Sequence, residues 1–188
     1  MAEVMYNQIT QEIELKYMLT YKRFTELKEK LKKEYPDESV FQINYYYDTE
    51  DFFVAKTHNT LRIRQYEEKL TLQYKHNKTK TMNIRICDEY EREITKLPKS
   101  IDLDGKTCLL LGSLITERHL FWIDKKTNVS MDKNYYLGIL DYEMEIEFEE
   151  IPQLSSILNL EDAEVSEKGK YHRFLEEYED NANFIMPL

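Results

Sequence analysis

Glycine and proline are scarce, with four of each in 188 residues, and no stretch is rich in Gly, Pro or Ser. That excludes a flexible inter-domain linker. One domain spanning residues 1–188 is the expectation, since this length can bury a sizeable core. The two cysteines, Cys87 and Cys108, lie in no CxxC or Cys/His ligand spacing, which leaves neither a disulfide framework nor a zinc site. Long apolar runs are missing too, and the segment MAEVMYNQITQEIELKY carries acids where a secretory leader needs a basic start. A cytoplasmic protein with no membrane partner is expected. Positive charge is outnumbered, with 26 Lys and Arg against 36 Asp and Glu and a net charge of -10. Such a balance argues against nucleic acid as a partner, because that binding needs a basic surface to neutralise phosphates. Any basic site must be local.

What recurs is strict period-two alternation, the pattern of strands with two chemically different faces. In Gln11 to Tyr17, Glu12, Glu14 and Lys16 oppose Ile13, Leu15 and Tyr17. In Thr60 to Arg64, Arg62 and Arg64 oppose Leu61 and Ile63; Leu70 to Lys75 and Met82 to Ile86 alternate in the same way. From Asp141 to Glu149, five acids (Asp141, Glu143, Glu145, Glu147, Glu149) share one face, and Tyr142, Met144, Ile146 and Phe148 share the other. Side chains two apart on a strand face are roughly 7 Å apart, so these carboxylates repel unless water, cations or metal screen them.

Helices are expected at Thr25 to Glu34 and Ser166 to Glu179, with a third beginning near Pro152. Many antiparallel strands with a few outlying helices give an α+β class, mainly β, built on a closed or nearly closed β-barrel. A single alternating strand most simply shows its polar face to water. Here, however, acids dominate strands near both ends of the sequence and Arg and Lys dominate the middle. The partners of these charges are large apolar residues. A polar interior with a covered apolar exterior accounts for both features, and a barrel supplies it.

The chemistry of that interior follows from its residue types. Phosphoanhydrides need Arg and Lys, with Arg suited to bidentate contact; the candidates are Arg62, Arg64, Lys75 and Arg118. Hard cations such as Mg²⁺ or Mn²⁺ need carboxylate oxygens, which Glu12, Glu14, Glu143 and Glu145 offer.

These residues also fall into an ordered set of motifs. Glu12-Ile13-Glu14-Leu15-Lys16 is an ExExK. Tyr45-Tyr46-Tyr47-Asp48-Thr49 is followed by Leu61-Arg62-Ile63-Arg64, then Glu91-Arg92-Glu93, Thr116-Glu117-Arg118, Met131-Asp132 and Glu143-Met144-Glu145. The set resembles the CYTH, or triphosphate tunnel, family over nearly the whole chain. The resemblance implies an eight-stranded antiparallel tunnel that hydrolyses tripolyphosphate, thiamine triphosphate or nucleoside triphosphates, or cyclises ATP, with Mg²⁺ or Mn²⁺. It implies Lys16, Glu93 and Asp132 as catalytic residues, the last two with ion pairing as their alternative role. Lys16, Arg62, Arg64, Lys75, Arg118 and Lys170 would bind substrate, and Glu12, Glu14, Glu143 and Glu145 the metal. Asp141 and Glu147 are expected to balance charge, the four histidines to pack or lie at the surface, and Trp122 to pack. A non-catalytic polyphosphate- or nucleotide-binding module and a class IV-like adenylate cyclase are the alternative functions. The sequence leaves the oligomeric state open.

Overall fold

The computed structural model describes residues 8–81, 84–150, 160, 164–166 and 168–185. In chain order the elements are β1 (Gln8–Leu19), α1 (Tyr21–Glu34), β2 (Glu38–Asp48), α2 (Phe53–Lys56), β3 (Thr60–Tyr66), β4 (Lys69–Thr81), β5 (Ile84–Ile94), β6 (Ser100–Leu103), β7 (Lys106–Trp122), β8 (Thr127–Tyr136), β9 (Ile139–Phe148), β10 (Glu164–Val165) and α3 (Lys170–Ile185). The alternating segments become strands because each has an apolar row to bury and a polar row to enclose. Neighbours run in the order β1-β5-β4-β3-β2-β7-β8-β9, and β9 returns to pair with β1, closing an eight-stranded barrel in which every pairing is antiparallel. Closure leaves those strands no free edge. β6 adds to β7 and β10 adds to β1 as short outer strands. Tight turns at Asp104-Gly105 and Leu137-Gly138 have φ > 0 at both residues, the hairpin geometry that matches strand twist.

The apolar rows face outward and are covered. α1 lays Phe24, Leu27 and Leu31, spaced three and four apart, on Phe121, Val129, Met131, Met144 and Ile146. Fully burying a side chain of this kind stabilises by roughly 1.5–3 kcal/mol, so this contact fixes α1 on the barrel wall. The helix begins at Tyr21, four residues before the expected Thr25, because the Thr20 side chain caps it by accepting from Arg23 N. On the opposite wall, α2 and β6 cover Leu61, Ile63 and Leu72 with Val54, Ile101 and Leu103.

α3 is placed differently. Tyr46, Leu114 and Tyr136 continue the inward rows of β2, β7 and β8, and α3 seats Tyr171 and Phe174 among them. It therefore closes one end of the barrel, starting at Lys170 where Ser166 was expected. The expected helix near Pro152, and Met82 and Asn83 of the fourth alternating segment, lie outside the described residues. Among the described residues, no helix is long and apolar enough to cross a membrane.

Candidate functional site

The inward polar rows of the barrel enclose a cavity of about 540 Å³. Nine Lys and Arg side chains and four Glu line it, so an acidic protein carries a locally basic lumen. Register explains the convergence. Arg62 lies opposite Gln73, and Thr60 opposite Lys75; Lys75 in turn opposes Glu89. Across the barrel Lys16 opposes Glu145 and Glu14 opposes Glu147.

The basic wall is built on β2, β3, β4 and β5. Arg62 donates from Nε to Gln73 Oε1 at 2.7 Å and from Nη2 to Glu89 Oε1 at 3.4 Å. Lys75 pairs with Glu12 and, at 3.5 Å, with Glu89. Burial would lift the Glu89 carboxyl, but Lys75 and Arg62 outweigh it and hold the group down at about 2. Arg64 differs from both. Its Nε donates to Asn44 Oδ1 at 3.2 Å, and among the described residues no carboxylate lies within ion-pair distance. Burial, reinforced by Arg62, pulls its guanidinium down to about 10. Beside it, Gln42 Nε2, Asn44 Nδ2 and the Tyr46 hydroxyl, on successive inward positions of β2, are buried with no acceptor among the described residues. Unmatched buried donors of this kind are costly, and of the three only Tyr46 lines the cavity.

The acidic wall carries two groups, Glu14/Glu145/Glu147 and Asp132/Glu143/Glu145, each with ligand oxygens within 4.8 Å of one another. The second is saturated with cations. Arg118 grips Asp132 with both Nε and Nη2, at 2.7 and 2.6 Å, and reaches Glu145 at 2.5 Å. Lys170 sits against all three acids, and Arg173 pairs with Glu143 and Asp141. Burial opposes ionisation of both Asp132 and Glu145, yet Arg118 and Lys170 outweigh it at Asp132, and Lys16, Lys170 and Arg118 at Glu145, keeping both carboxyls low. The first group shares Glu145 with the second but is less completely paired. Glu14 meets Lys16 at 3.3 Å, whereas the Glu147 carboxylate accepts from Asn128 Nδ2 at 3.2 Å and has no cation within ion-pair distance among the described residues. Burial and then the nearby Glu12 push its carboxyl up. A carboxylate left short of positive charge beside two further carboxylates is a set of hard oxygen donors whose chemistry fits a divalent cation.

Of the residues named from sequence, Glu12, Glu14, Lys16, Arg62, Arg64, Lys75, Arg118, Glu145 and Lys170 all line the cavity. Glu93 does not: its side chain is 67% exposed and pairs with Lys69 at 3.1 Å. Glu143 and Asp132 are fully buried behind the cavity wall, bound to Lys170, Arg173 and Arg118. Glu147, read as balancing charge, lines the cavity instead, while Asp141 accepts from Arg173, Tyr136 and Asn134. Sequence reasoning missed Glu89 and Arg173. Glu89 lies on the same strand face as Glu91 and Glu93, so the alternation carried its signal; Arg173 carried none. His58 and His172 stack at 6.1 Å on the cavity lining, and Trp122 is half exposed rather than packed.

Asp48 explains how the end of the tunnel is held. Its buried carboxylate accepts from the backbone N–H groups of Thr49, Val54 and Ala55 and from the Tyr171 hydroxyl at 2.5 Å. One side chain thus anchors α2 and ties the first turn of α3, with Lys170, to the barrel.

Comparison with solved structures finds the same barrel. A Bacillus halodurans protein provisionally described as an adenylate cyclase superposes with a TM-score of 0.69 at 22% identity, covering 88% of this chain and 98% of that one. A Hippeastrum protein, provisionally an adenylyl cyclase and described as having a dominant triphosphatase activity, gives 0.70 at 21% identity over 88% and 95% of the two chains. The Mimivirus capping enzyme triphosphatase gives 0.54 at 13% identity over 90% of each. Among curated protein sequences none matches. The model of the CYTH domain matches residues 10–175, a span that runs from the first Glu of the lumen to the helix that closes it, and the chain therefore belongs to the CYTH domain family.

Proposed function

We propose that the chain hydrolyses a phosphoanhydride bond in a triphosphate, namely inorganic tripolyphosphate, a nucleoside triphosphate or thiamine triphosphate, with Mg²⁺ or Mn²⁺ held by Glu14, Glu145 and Glu147 and with Glu12 beside them. The observation that carries this reading is an imbalance of charge across one cavity. Among the described residues Arg64 lacks an acid and Glu147 lacks a cation, so the lumen offers an anion site facing a cation site. When bound, the divalent cation neutralises phosphate oxygens and lowers the pKa of water.

The chain's own groups do the rest. Arg64 and Arg62 take the non-reacting phosphates, and the Tyr46 hydroxyl, kept protonated by burial, donates to a phosphate oxygen. Arg118 reaches the lumen from the opposite wall. Lys16, 2.5 Å from Glu145, stands between the two walls, where it neutralises charge that develops on the leaving phosphate. Little covalent chemistry is asked of the protein, because phosphoryl transfer is catalysed mainly by positioning and charge stabilisation. The cavity volume suits a small-molecule partner. The triphosphatase descriptions of the Hippeastrum and Mimivirus proteins support the reading. The cyclase descriptions favour a second one, conversion of ATP to cyclic AMP with release of pyrophosphate.

Orthophosphate release from tripolyphosphate and from ATP, with Mg²⁺, Mn²⁺ or EDTA, tests the proposal. Metal-dependent release is expected, lost in Arg62→Ala and Glu14→Gln. Pyrophosphate and cyclic AMP without orthophosphate would establish the cyclase instead. Binding of either substrate without turnover would leave a non-catalytic binding module.

A further inference from the structure

We infer that the outer wall of the barrel formed by β2, β7, β8 and β9 docks a second copy of this chain, about a two-fold axis running along the seam between β7 and β8. α1 covers Phe121 of β7, Val129 and Met131 of β8, and Met144 and Ile146 of β9, and its Phe24 reaches Tyr142. Farther along the same strands no described element lies on the outward face. Among the described residues Phe41, Ile43, Ile115, Tyr135 and Leu140 belong to none of the three apolar clusters, and Phe41 is 58% and Leu140 47% exposed. Contiguous bare apolar surface of this kind marks an interaction site.

Register sets the outward side chains in two rows of four. One runs Ile43, Ile115, Tyr135, Leu140, and the other Phe41, Glu117, Lys133, Tyr142. At about 4.8 Å between strands, each row is roughly 15 Å long. Both rows are balanced about the β7–β8 seam, with apolar side chains at the outer places and, at the inner ones, Ile115 beside Tyr135 or an acid beside a base. A two-fold axis along that seam, in the plane of contact, exchanges the two sides of each row. Ile43 then meets Leu140 of the second copy, Ile115 meets its Tyr135, Phe41 its Tyr142 and Glu117 its Lys133. Strands of the two walls run nearly aligned, an ordinary way for sheets to pack.

Charge selects the occupant. Glu117 and Lys133 stand 3.8 Å apart within one chain, and Lys133 lies over the Tyr135 ring at 5.0 Å. Across the axis the two pairs make a cluster of four alternating charges. Elsewhere two copies of net charge -10 repel each other, whereas on this wall the charges cancel. A partner of one charge sign would gain nothing from a pair already balanced. Two short rows on a curved wall make a small interface, which puts the association in the micromolar range.

Sedimentation velocity of the full chain with two charge variants tests this. Glu117→Lys carries two bases at the seam and Lys133→Glu two acids; each loses within its own chain only a partly exposed pair, which contributes little to folding. Wild type is expected to dimerise as its concentration rises, and each variant alone to stay monomeric. An equimolar mixture of the two is expected to dimerise again, because only unlike copies match across the axis. A pair that acts only within its chain predicts no such rescue. Wild type that stays monomeric at about 200 µM would overturn the proposal, whatever else covers the wall. So would variants that dimerise alone, or a mixture that stays monomeric. Should a charge variant fail to fold by circular dichroism, Leu140→Lys at its exposed position decides. Association weaker by about tenfold or more supports the docking face, and unchanged association refutes it.

Discussion

Gly112→Ala should loosen the helix that closes the tunnel. Gly112 lies opposite Tyr46 on β7, beside a register shift in the β2–β7 pairing. A Cβ there would stand 2.9 Å from Phe174 Cζ and 3.4 Å from Cε2. Carbon atoms rest at about 3.5–4.0 Å, so the ring must retreat by roughly 0.6 Å or more. It has little room to do so, because Phe174 is fully buried among Tyr46, Tyr136 and Tyr178. Overpacking of this kind costs about 1–3 kcal/mol. In a chain of this size each kcal/mol lowers Tm by about 2–4 °C, so a fall of roughly 4–8 °C is expected for a mid-range cost. Phe174→Leu shortens the obstacle. In a double-mutant cycle followed by urea denaturation, Gly112→Ala should therefore cost much less in the Phe174→Leu background, with a coupling of about 1–2 kcal/mol. Additive effects, or a neutral Gly112→Ala, would refute the packing argument.

Three further perturbations separate anchoring, electrostatics and binding. Asp48→Asn replaces one carboxylate oxygen with an amide that faces donors, and should cost about 2–3 kcal/mol in denaturation midpoint with no change in m-value. Glu89 sits lower in the folded chain, at about 2, than its ordinary 4.5; the folded state therefore binds fewer protons, and this stabilisation is complete above about pH 4.5 and lost as pH falls toward 2. Glu89→Gln should thus be less stable than wild type by about 3 kcal/mol near neutral pH, a gap that closes in acid. Arg64→Ala removes a guanidinium bonded to Asn44, so stability should stay within about 1 kcal/mol of wild type while kcat/KM for tripolyphosphate falls by about 10²-fold or more.

Period two made the walls of this tunnel readable in advance, because a residue's side of a strand depends only on its parity. Its depth along the barrel axis does not. Cys87, Glu89, Glu91 and Glu93 share a face, yet the register with β4 sets Glu89 opposite Lys75 in the lumen and Glu93 opposite Thr71 near the end. The Glu-Arg-Glu motif drew attention to the wrong members of that row. Asp141 to Glu149 shows the same limit, since the alternation gave five acids equal standing. Their fates diverge because α3, remote in sequence, delivers Lys170 and Arg173 to Asp141, Glu143 and Glu145 and stops short of Glu147. No local pattern encodes where a distant helix will place two cations.

That divergence also explains how so much charge can be enclosed at all. Like charges packed on one wall would drive their own protonation or unfold the barrel. Here most acids have a cation within reach, and each such pair lowers the cost of burial. What remains after pairing is a surplus of bases over acids on the lining, concentrated at Arg64 and at Arg85, whose Nη2 donates to the Ser166 carbonyl. Pairing thus removes the acids from competition for the ligand everywhere on the lining except at Glu147. The net charge of -10 would repel an anion from the surface at large, while low-dielectric walls focus the field of the basic lining toward the mouth. A polyanion is therefore favoured only along the tunnel, where Glu147 is the lining carboxylate that has no cation within ion-pair distance among the described residues.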